Sequence, residues 1–417
     1  MRTPVVRARQ DIGLRPAKRV CLLPISLLCN VPVTSREETG RKAHRMVVRK
    51  ISWAQRIGFN ASIFKAWAFV QRSRRTEFQE ERVRVRLVAA SLLAVVTGIA
   101  SAQNINGAGA TFPYPIYNKW FTEYAQAHPG IKINYQPIGS GGGIRQVSDG
   151  TVDFGASDGP MSDQQLSDAK VKVTHIPTVL GAVVPIYNLP GVSQELNFAG
   201  DVIADIYLGK ITKWSDPRIA KDNPGVKFPD KPVLAVYRSD GSGTTYIFTD
   251  FLSKVSPAWA AGPSKGTAIK WPVGIGQKGS EGVAGMVRQT PGAFGYVELV
   301  YAAENKIQYG LVKNPAGKFI KATPEGATEA AAALAKSMPA DFRVSITNAP
   351  GPNSYPISSF TWLLIPLHFN DPAKGKAITD FLHWMLDHGE SEAAGLGYAP
   401  LPKPVADKVN LAIAKIK

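Results

Sequence analysis

The stretch VTHIPTVLGAVVPIY, residues 173–187, is apolar and rich in β-branched residues along most of its length. A second stretch of the same kind runs from Ile357 to Pro366. Long buried strands of this composition are candidates for segments that cross between two domains. If both stretches cross, residues 104–180 together with residues 355–417 form lobe I, and residues 181–354 form lobe II.

The body of the chain alternates strand-like and helix-like patterns, which is typical of an α/β protein. The 315 residues that follow Ala102 are sufficient for two domains with cores of their own. Apolar residues at helical spacing predict helices around residues 116–124 and 247–255. The predicted strands are residues 131–135, 152–154, 233–237 and 294–297.

An export signal is predicted directly before this body. Residues 82–86 are alternately basic, an apolar run from Leu87 to Val96 follows, and Ala100-Ser-Ala102 fits a signal-peptidase site. A membrane anchor is the alternative, but the run is far shorter than the ~20 apolar residues that span a bilayer. We therefore predict a signal peptide at residues 82–102, cleaved near Ala102, and a mature protein in the periplasm.

Residues 1–81 do not fit this arrangement, because a signal peptide begins at the N-terminus of the translated chain. Two interpretations stay open: a disordered leader, or a translation start assigned too far upstream. Both cysteines, Cys21 and Cys29, lie in this region. The mature chain is therefore expected to have neither disulfides nor thiol chemistry.

The formal charge of +17 is distributed unevenly along the chain. Residues 1–86 carry 20 Lys and Arg against 6 Asp and Glu, whereas the remainder carries 29 against 26. A strongly basic protein would suggest nucleic acid as a partner. Because the excess lies in the N-terminal region, we expect no nucleic-acid partner for the mature protein.

Four short segments combine glycines, hydroxyls and small side chains: residues 107–112 (GAGATF), 139–143 (GSGGG), 154–158 (FGASD) and 238–244 (RSDGSGT). Three of them precede a helical pattern, and the first turn of a helix binds anions through its unpaired N–H groups. The segment 154–158 instead delivers the carboxyl group of Asp158 at the end of a strand. An anion site that contains an acid favours an anion that carries a proton, and this indicates protonated phosphate.

Three of the segments also have a plainer interpretation. Residues 107–112 fit a capped helix that starts near Pro113, and Phe112 in the sixth position excludes a dinucleotide-binding motif. The glycines after Ser140 fit a flexible linker, and no Lys-Ser/Thr follows them as it would in a P-loop. Asp158 fits a capping role before Pro160.

The segment from Arg238 to Thr244 is the most specific of the four. An arginine can donate two parallel hydrogen bonds to an oxyanion, which a lysine cannot do. Asp240 is placed to hold the guanidinium, while Ser242, Gly243 and Thr244 supply donors at the start of the next helix. The plainer interpretation is a solvated Ser/Gly turn.

Together these segments resemble those of the periplasmic phosphate-binding proteins that serve phosphate ABC transporters. The similarity covers nearly all of residues 104–417 and includes residues 205–214, 270–274 and 291–298, although Gly159-Pro160 replaces the usual Ala-Pro. It implies an α/β, two-lobed periplasmic-binding-protein fold of type II, with two mixed sheets flanked by helices and hinged around a ligand cleft. The implied phosphate contacts are Thr111, Phe112, Ser140, Asp158, Arg238, Ser242, Gly243 and Thr244, with Asp240 beside Arg238.

The resemblance implies a carrier and not an enzyme. The expected protein is a monomer without metal or cofactor that binds inorganic phosphate and delivers it to the permease of a phosphate ABC transporter. A binding protein for another oxyanion, such as sulfate or molybdate, is one alternative. A secreted phosphatase with Ser242 as nucleophile is the other, although Gly-Ser-Gly does not complete G-x-S-x-G. His383 and His388 are interpreted as ordinary residues of a helix and not as metal ligands.

Asp158 gives this interpretation its mechanism. An ionised carboxylate only accepts hydrogen bonds, and phosphate at neutral pH still has an O–H to donate, whereas sulfate has none. Sites built to pair a ligand O–H reject analogues that lack it by ~10⁴–10⁵-fold. We therefore expect Asp158 to accept the phosphate proton and to reject sulfate.

Overall fold

The computed structural model describes residues 103–417, so the predictions for the leader, the signal peptide and the cysteines lie outside the described residues. The strands of this range are β1 (Gln103–Gly109), β2 (Ile131–Gln136), β3 (Phe154–Ser157), β4 (Val173–Tyr187), β5 (Asn197–Phe198), β6 (Leu234–Arg238), β7 (Ile275–Gln277), β8 (Ala293–Glu298), β9 (Gln308–Tyr309), β10 (Leu311–Lys313), β11 (Phe319–Ile320) and β12 (Ser358–Pro366).

The α-helices of the same range lie between these strands and after the last one, as expected for an α/β protein. They are α1 (Tyr114–Ala127), α2 (Ser140–Ser148), α3 (Asp163–Asp168), α4 (Gly200–Tyr207), α5 (Pro217–Lys221), α6 (Gly243–Val255), α7 (Pro257–Ala261), α8 (Gly279–Gln289), α9 (Leu299–Glu304), α10 (Pro324–Ala332), α11 (Pro372–Asp387) and α12 (Lys403–Ile413). None of the helices in this part of the chain has the length and apolar character needed to cross a bilayer.

Most of the strands belong to one mixed sheet. Its order is β2-β1-β3-β12-β4-β8-β6-β7, and β9 pairs with β4 at the side of this path. The flanking groups β2-β1-β3 and β8-β6-β7 are parallel, whereas β12 and β4 run antiparallel to their neighbours. A small second sheet has the order β11-β10-β5. The α/β class and the mixed pairing expected from the sequence are confirmed.

The apolar stretch 173–187 forms the single strand β4, which changes partners along its length. Residues 173–182 pair with β12, and residues 183–187 pair with β8. Every residue from His175 onward is buried, which explains the continuous apolar sequence. The two expected sheets are therefore joined through β4 into one hydrogen-bonded path.

Two local predictions differ from the structure. The strand predicted at 152–154 begins only at Phe154; Asp153 instead bonds to β1 through its side chain, because its carboxylate accepts from the Asn106 N–H at 2.8 Å. Gly141, Gly142 and Gly143 lie in the first turn of α2 and not before it, while Gly139 precedes the helix. A side chain at Gly143 would lie 2.6 Å from Gly109 Cα and 2.7 Å from the Ala156 carbonyl, so only bare backbone lets α2 contact β1 and β3 this closely.

The remaining predicted elements occur at their expected places. Strands β2, β6 and β8 match the predicted strands to within one or two residues, and α1 and α6 contain the predicted helical patterns. Because of this topology, the carboxyl ends of three strands lie beside the first turns of four helices. The strands are β1, β3 and β6, and the helices are α1, α2, α6 and α8. Ligands of open α/β sheets bind at such carboxyl ends of strands.

Candidate functional site

The four glycine- and hydroxyl-rich segments meet in space, although they are far apart in the sequence. The Ser140 hydroxyl at the start of α2 accepts a hydrogen bond from the Gly243 N–H at 3.0 Å and lies 3.4 Å from Asp158 Oδ2. The Thr111 hydroxyl accepts one from Arg238 Nη1 at 3.0 Å. Each segment therefore contributes at least one side chain or backbone group to a single buried cluster.

Arg238 at the end of β6 is almost fully buried and held on two sides. Its Nε and Nη2 donate to the two carboxylate oxygens of Asp240 at 2.8 and 2.5 Å, while Nη1 donates to Thr111 and Ser280 hydroxyls at 3.0 and 3.1 Å. The parallel pair of hydrogen bonds that the sequence analysis assigned to an oxyanion is thus made to Asp240. Burial alone would raise the pKa of Asp240, but the bonds and charge of Arg238 lower it below its ordinary value. Asp240 stays ionised and fixes the guanidinium with Nη1 toward Thr111.

Asp158 follows β3 and is 1% exposed. Its Oδ1 accepts a hydrogen bond from the Thr361 hydroxyl at 2.8 Å, and its Oδ2 faces Ser140. Burial raises the pKa of Asp158 to about 7, against the opposing effects of the Thr361 bond, the Arg238 charge and the Ser140 bond. Near neutral pH the group therefore exists both as carboxylate and as acid, whereas the sequence analysis considered the carboxylate alone.

Several donors around these two groups have no acceptor within residues 103–417. They are the backbone N–H groups of Thr111, Phe112, Ser140 and Thr244, all in buried residues, and the buried hydroxyl of Thr244. Leaving a buried donor unpaired costs about 1–3 kcal/mol, so a cluster of them needs a ligand. Donors of this kind at the starts of two helices, next to a guanidinium, form an anion site.

Two further predicted residues shape the site. Ser242 precedes α6, and its hydroxyl accepts from the Thr245 N–H at 3.1 Å, which caps the helix. A Cβ atom at Gly243 would lie 2.4 Å from the Ser140 hydroxyl and 2.5 Å from Asp158 Oδ2. Only glycine therefore fits between the start of α6 and the buried acid.

Two site residues were missed by the sequence analysis. Ser280 in the first turn of α8 bonds to both Arg238 and Thr111, and its signal was the Gly-Ser pair before a helical pattern. Thr361 lies in the buried strand β12 and positions Asp158. It carried no distinctive signal, because Ser358 and Ser359 also place hydroxyls in this stretch.

His383 and His388 lie outside this cluster. His383 is in α11 with its Nδ1 3.2 Å from Asn410 Oδ1, and His388 caps the end of that helix. In residues 103–417 no three His, Cys, Asp or Glu side chains are grouped as metal ligands. The site is thus built from the guanidinium of Arg238 with its partner carboxylate Asp240, hydroxyls, backbone N–H groups and the buried acid Asp158.

Comparison with known proteins places these features in a family. A family described as "PBP superfamily domain" matches residues 94–388. The chain is 42% identical over 325 residues to a protein named phosphate-binding protein PstS from Pasteurella multocida, covering 78% of this chain and 94% of that one. It is 43% identical over 307 residues to a protein of the same name from Xylella fastidiosa strain Temecula1, covering 73% and 84%.

Solved structures show the same fold at lower sequence identity. A phosphate-binding protein from Stenotrophomonas maltophilia superposes with a TM-score of 0.57 at 20% identity, covering 74% of this chain and 93% of that one. A Clostridium perfringens substrate-binding protein, solved with bound phosphate, gives 0.52 at 19% identity and covers 72% and 100%. The periplasmic-binding-protein architecture expected from the sequence is thereby confirmed.

Proposed function

Because the chain belongs to the PstS family of phosphate-binding proteins, we propose that it binds inorganic phosphate in the periplasm and delivers it to the permease of a phosphate ABC transporter. The observation that carries the proposal is the buried acid Asp158 among groups that can donate to an anion, since the other carboxylate, Asp240, is occupied by Arg238. An anion such as sulfate needs donors alone. A single acceptor in that setting suits a tetrahedral anion that retains a proton.

The site can satisfy such an anion completely. Arg238 provides the positive charge, and the unpaired N–H groups of Thr111, Phe112, Ser140 and Thr244 provide neutral donors. In this proposal these groups donate to the phosphate oxygens, which accept hydrogen bonds. The phosphate O–H donates to the carboxylate of Asp158, which is the acceptor of the set.

Rejection of sulfate follows from the same acceptor. Sulfate would place an oxygen against the Asp158 carboxylate, so that two lone pairs and two negative charges face each other without water. Only the protonated form of Asp158 could donate to sulfate, and with a pKa of about 7 that form disappears as the pH rises. Discrimination is therefore expected to be strongest above neutral pH.

We further propose that residues 104–180 with 355–417, and residues 181–354, act as two lobes that close on the anion. Direct hydrogen bonds join the two sets of residues: Gly141 N–H to the Gly241 carbonyl at 2.9 Å, and Gly243 N–H to the Ser140 hydroxyl. Strands β4 and β12 connect the sets and are the expected hinge. A closed monomer is the form that the permease would recognise.

Titration calorimetry of the purified protein with phosphate, sulfate and molybdate tests this proposal. We expect phosphate to bind and the other two anions to bind at least a thousandfold more weakly at about pH 8. Comparable binding of sulfate or molybdate would favour a carrier for another oxyanion. Release of product from a chromogenic phosphate ester would favour the phosphatase alternative.

Delivery is a separate step and needs a separate measurement. Phosphate uptake by cells that lack their own phosphate-binding protein should be restored by this chain. An Arg238→Lys variant that is exported to the same level but binds phosphate poorly should restore little uptake. Equal uptake by both proteins would refute a role in delivery.

A further inference from the structure

Successive carbonyl groups of the loop that follows β1 are each bonded to a tyrosine hydroxyl. This loop carries Thr111 and Phe112, whose N–H groups belong to the anion site. The tyrosines come from β2, from α9 and from the segment before α12, so they are far from the loop and from each other in the sequence. The bonds are Tyr135 to the Ala110 carbonyl at 2.7 Å, Tyr301 to the Thr111 carbonyl at 2.5 Å, and Tyr398 to the Phe112 carbonyl at 2.7 Å.

Peptide geometry gives these bonds a consequence for the site. In a planar trans peptide the C=O of one residue points opposite to the N–H of the next. The Tyr135 bond to the Ala110 carbonyl therefore turns the Thr111 N–H away from Tyr135. In the same way, the bond from Tyr301 to the Thr111 carbonyl turns the Phe112 N–H away from Tyr301. These are the two N–H groups of the loop that have no acceptor in the described part of the chain.

The third bond differs from the other two in one respect. The Phe112 carbonyl belongs to the peptide bond with Pro113, and proline has no N–H group. Tyr398 therefore holds the loop without orienting a donor. It offers an internal control with the same chemistry in the same loop.

The three tyrosine hydroxyls are suited to act as hydrogen-bond donors throughout the physiological pH range. Burial raises the pKa of Tyr135, Tyr301 and Tyr398 well above the ordinary value, so all three keep their protons at any physiological pH. A carbonyl that accepts a hydrogen bond also polarises its peptide, which strengthens the N–H on the other side as a donor. Both effects favour binding of an anion.

We propose that Tyr135 and Tyr301 are positioning residues for the phosphate site, each fixing one peptide plane so that its N–H faces the anion. The proposal rests on the proposed function, because the anion it positions for is phosphate. Tyr301 lies in the proposed lobe II and Thr111 in lobe I, so their bond forms only when the lobes are closed. Glu281 Oε1, 3.3 Å from the Tyr301 hydroxyl, is the alternative acceptor on the side of lobe II. Within lobe I the Thr111 carbonyl also accepts from the Tyr114 N–H at 3.2 Å, so closure adds a second bond that tightens the orientation of the Phe112 N–H as the ligand arrives.

Phenylalanine variants test the proposal, because they remove the hydroxyl and keep the ring. Tyr301→Phe and Tyr135→Phe should each weaken phosphate binding about tenfold in titration calorimetry, whereas Tyr398→Phe should stay within about twofold of the wild type. The melting temperature of each phosphate-free variant measures how much the substitution destabilises the fold apart from any effect on binding. An equal loss of affinity in all three variants, or none in Tyr301→Phe and Tyr135→Phe, would overturn the proposal.

An amide NMR signal reports the orientation directly. In the wild type the Phe112 amide proton should shift downfield when phosphate is added. The shift should shrink in Tyr301→Phe and persist in Tyr398→Phe; an unchanged shift in Tyr301→Phe contradicts the proposal. If Tyr301→Phe does not fold, the Thr111 amide in Tyr135→Phe carries the same test. A wild-type protein that binds no phosphate would instead refute the proposed function, so the two failures are distinguishable.

Discussion

Replacing Asp158 by asparagine should stabilise the phosphate-free protein, and by more as the pH rises. The side chain is 1% exposed, and burial raises its pKa from 3.8 to about 7. Below about pH 4 the acid is protonated in both the folded and the unfolded chain, so the desolvated charge costs nothing. Between these two pKa values the unfolded chain ionises while the folded protein keeps its proton, and the folded state loses stability with each step in pH.

The size of the effect follows from the pKa. At about 1.4 kcal/mol for each tenfold change in an equilibrium constant, the difference between 3.8 and about 7 corresponds to about 4 kcal/mol. The amide side chain of the variant has no charge to bury. The free energy of unfolding of Asp158→Asn minus that of the wild type should therefore increase by up to about 4 kcal/mol from about pH 4 to about pH 7, then level off.

Urea unfolding of both phosphate-free proteins across this pH range measures the difference. Asp250→Asn is the matched control: this carboxyl is also buried and its pKa would be raised by burial, but bonds from Lys265, Ser345 and Thr347 lower it to about 2. Its loss should destabilise the protein at neutral pH, and less as the pH falls through about 4 toward 2. A stability difference for Asp158→Asn that is flat or falls with rising pH would refute the assignment of a desolvated acid.

Three further outcomes are expected. Arg238→Lys should weaken phosphate binding about a hundredfold in calorimetry, because a lysine cannot bond at once to Asp240, Thr111 and Ser280. A loss of affinity below about threefold would contradict the role of the guanidinium in the anion site. Gly243→Ala should weaken phosphate binding at least tenfold, because the new Cβ would lie 2.4–2.6 Å from atoms of Ser140 and Asp158. Gly285→Ala is the control and should leave binding unchanged, because the space around its Cβ is open. Equal phosphate affinities of the two variants would contradict the packing argument. The residual affinity for sulfate should fall about tenfold from about pH 6 to about pH 8 as Asp158 loses its proton, and an affinity that is constant with pH would contradict this dependence.

Much of the fold and the four site segments could be predicted because the signals are local. Alternating strand and helix patterns indicate the α/β class, and β4 stands out as a continuous apolar stretch because it is buried along most of its length. Glycines and hydroxyls before a helix mark anion-binding turns within a few residues. Arg238 and Asp240 are two positions apart, so their pairing was also visible in the sequence.

The remainder depends on contacts between distant parts of the chain. Thr361 reaches Asp158 across 203 positions, and Ser280 reaches Thr111 across 169, with no local pattern to connect them. The pKa of Asp158 is set by burial, which the sequence of one strand does not determine. The start of α2 at Ser140 was missed because glycine has low helix propensity, and here close packing on β1 and β3 overrides that propensity.

The selective role of Asp158 is tested most directly by the ratio of phosphate to sulfate affinity in the wild type and in Asp158→Asn, measured by calorimetry at about pH 8. We expect a ratio of at least a thousand for the wild type. In the variant the uncharged amide can donate to either anion, so sulfate should gain affinity and the ratio should fall by at least tenfold. An unchanged ratio would show that the buried acid does not distinguish the protonated anion from the proton-free one.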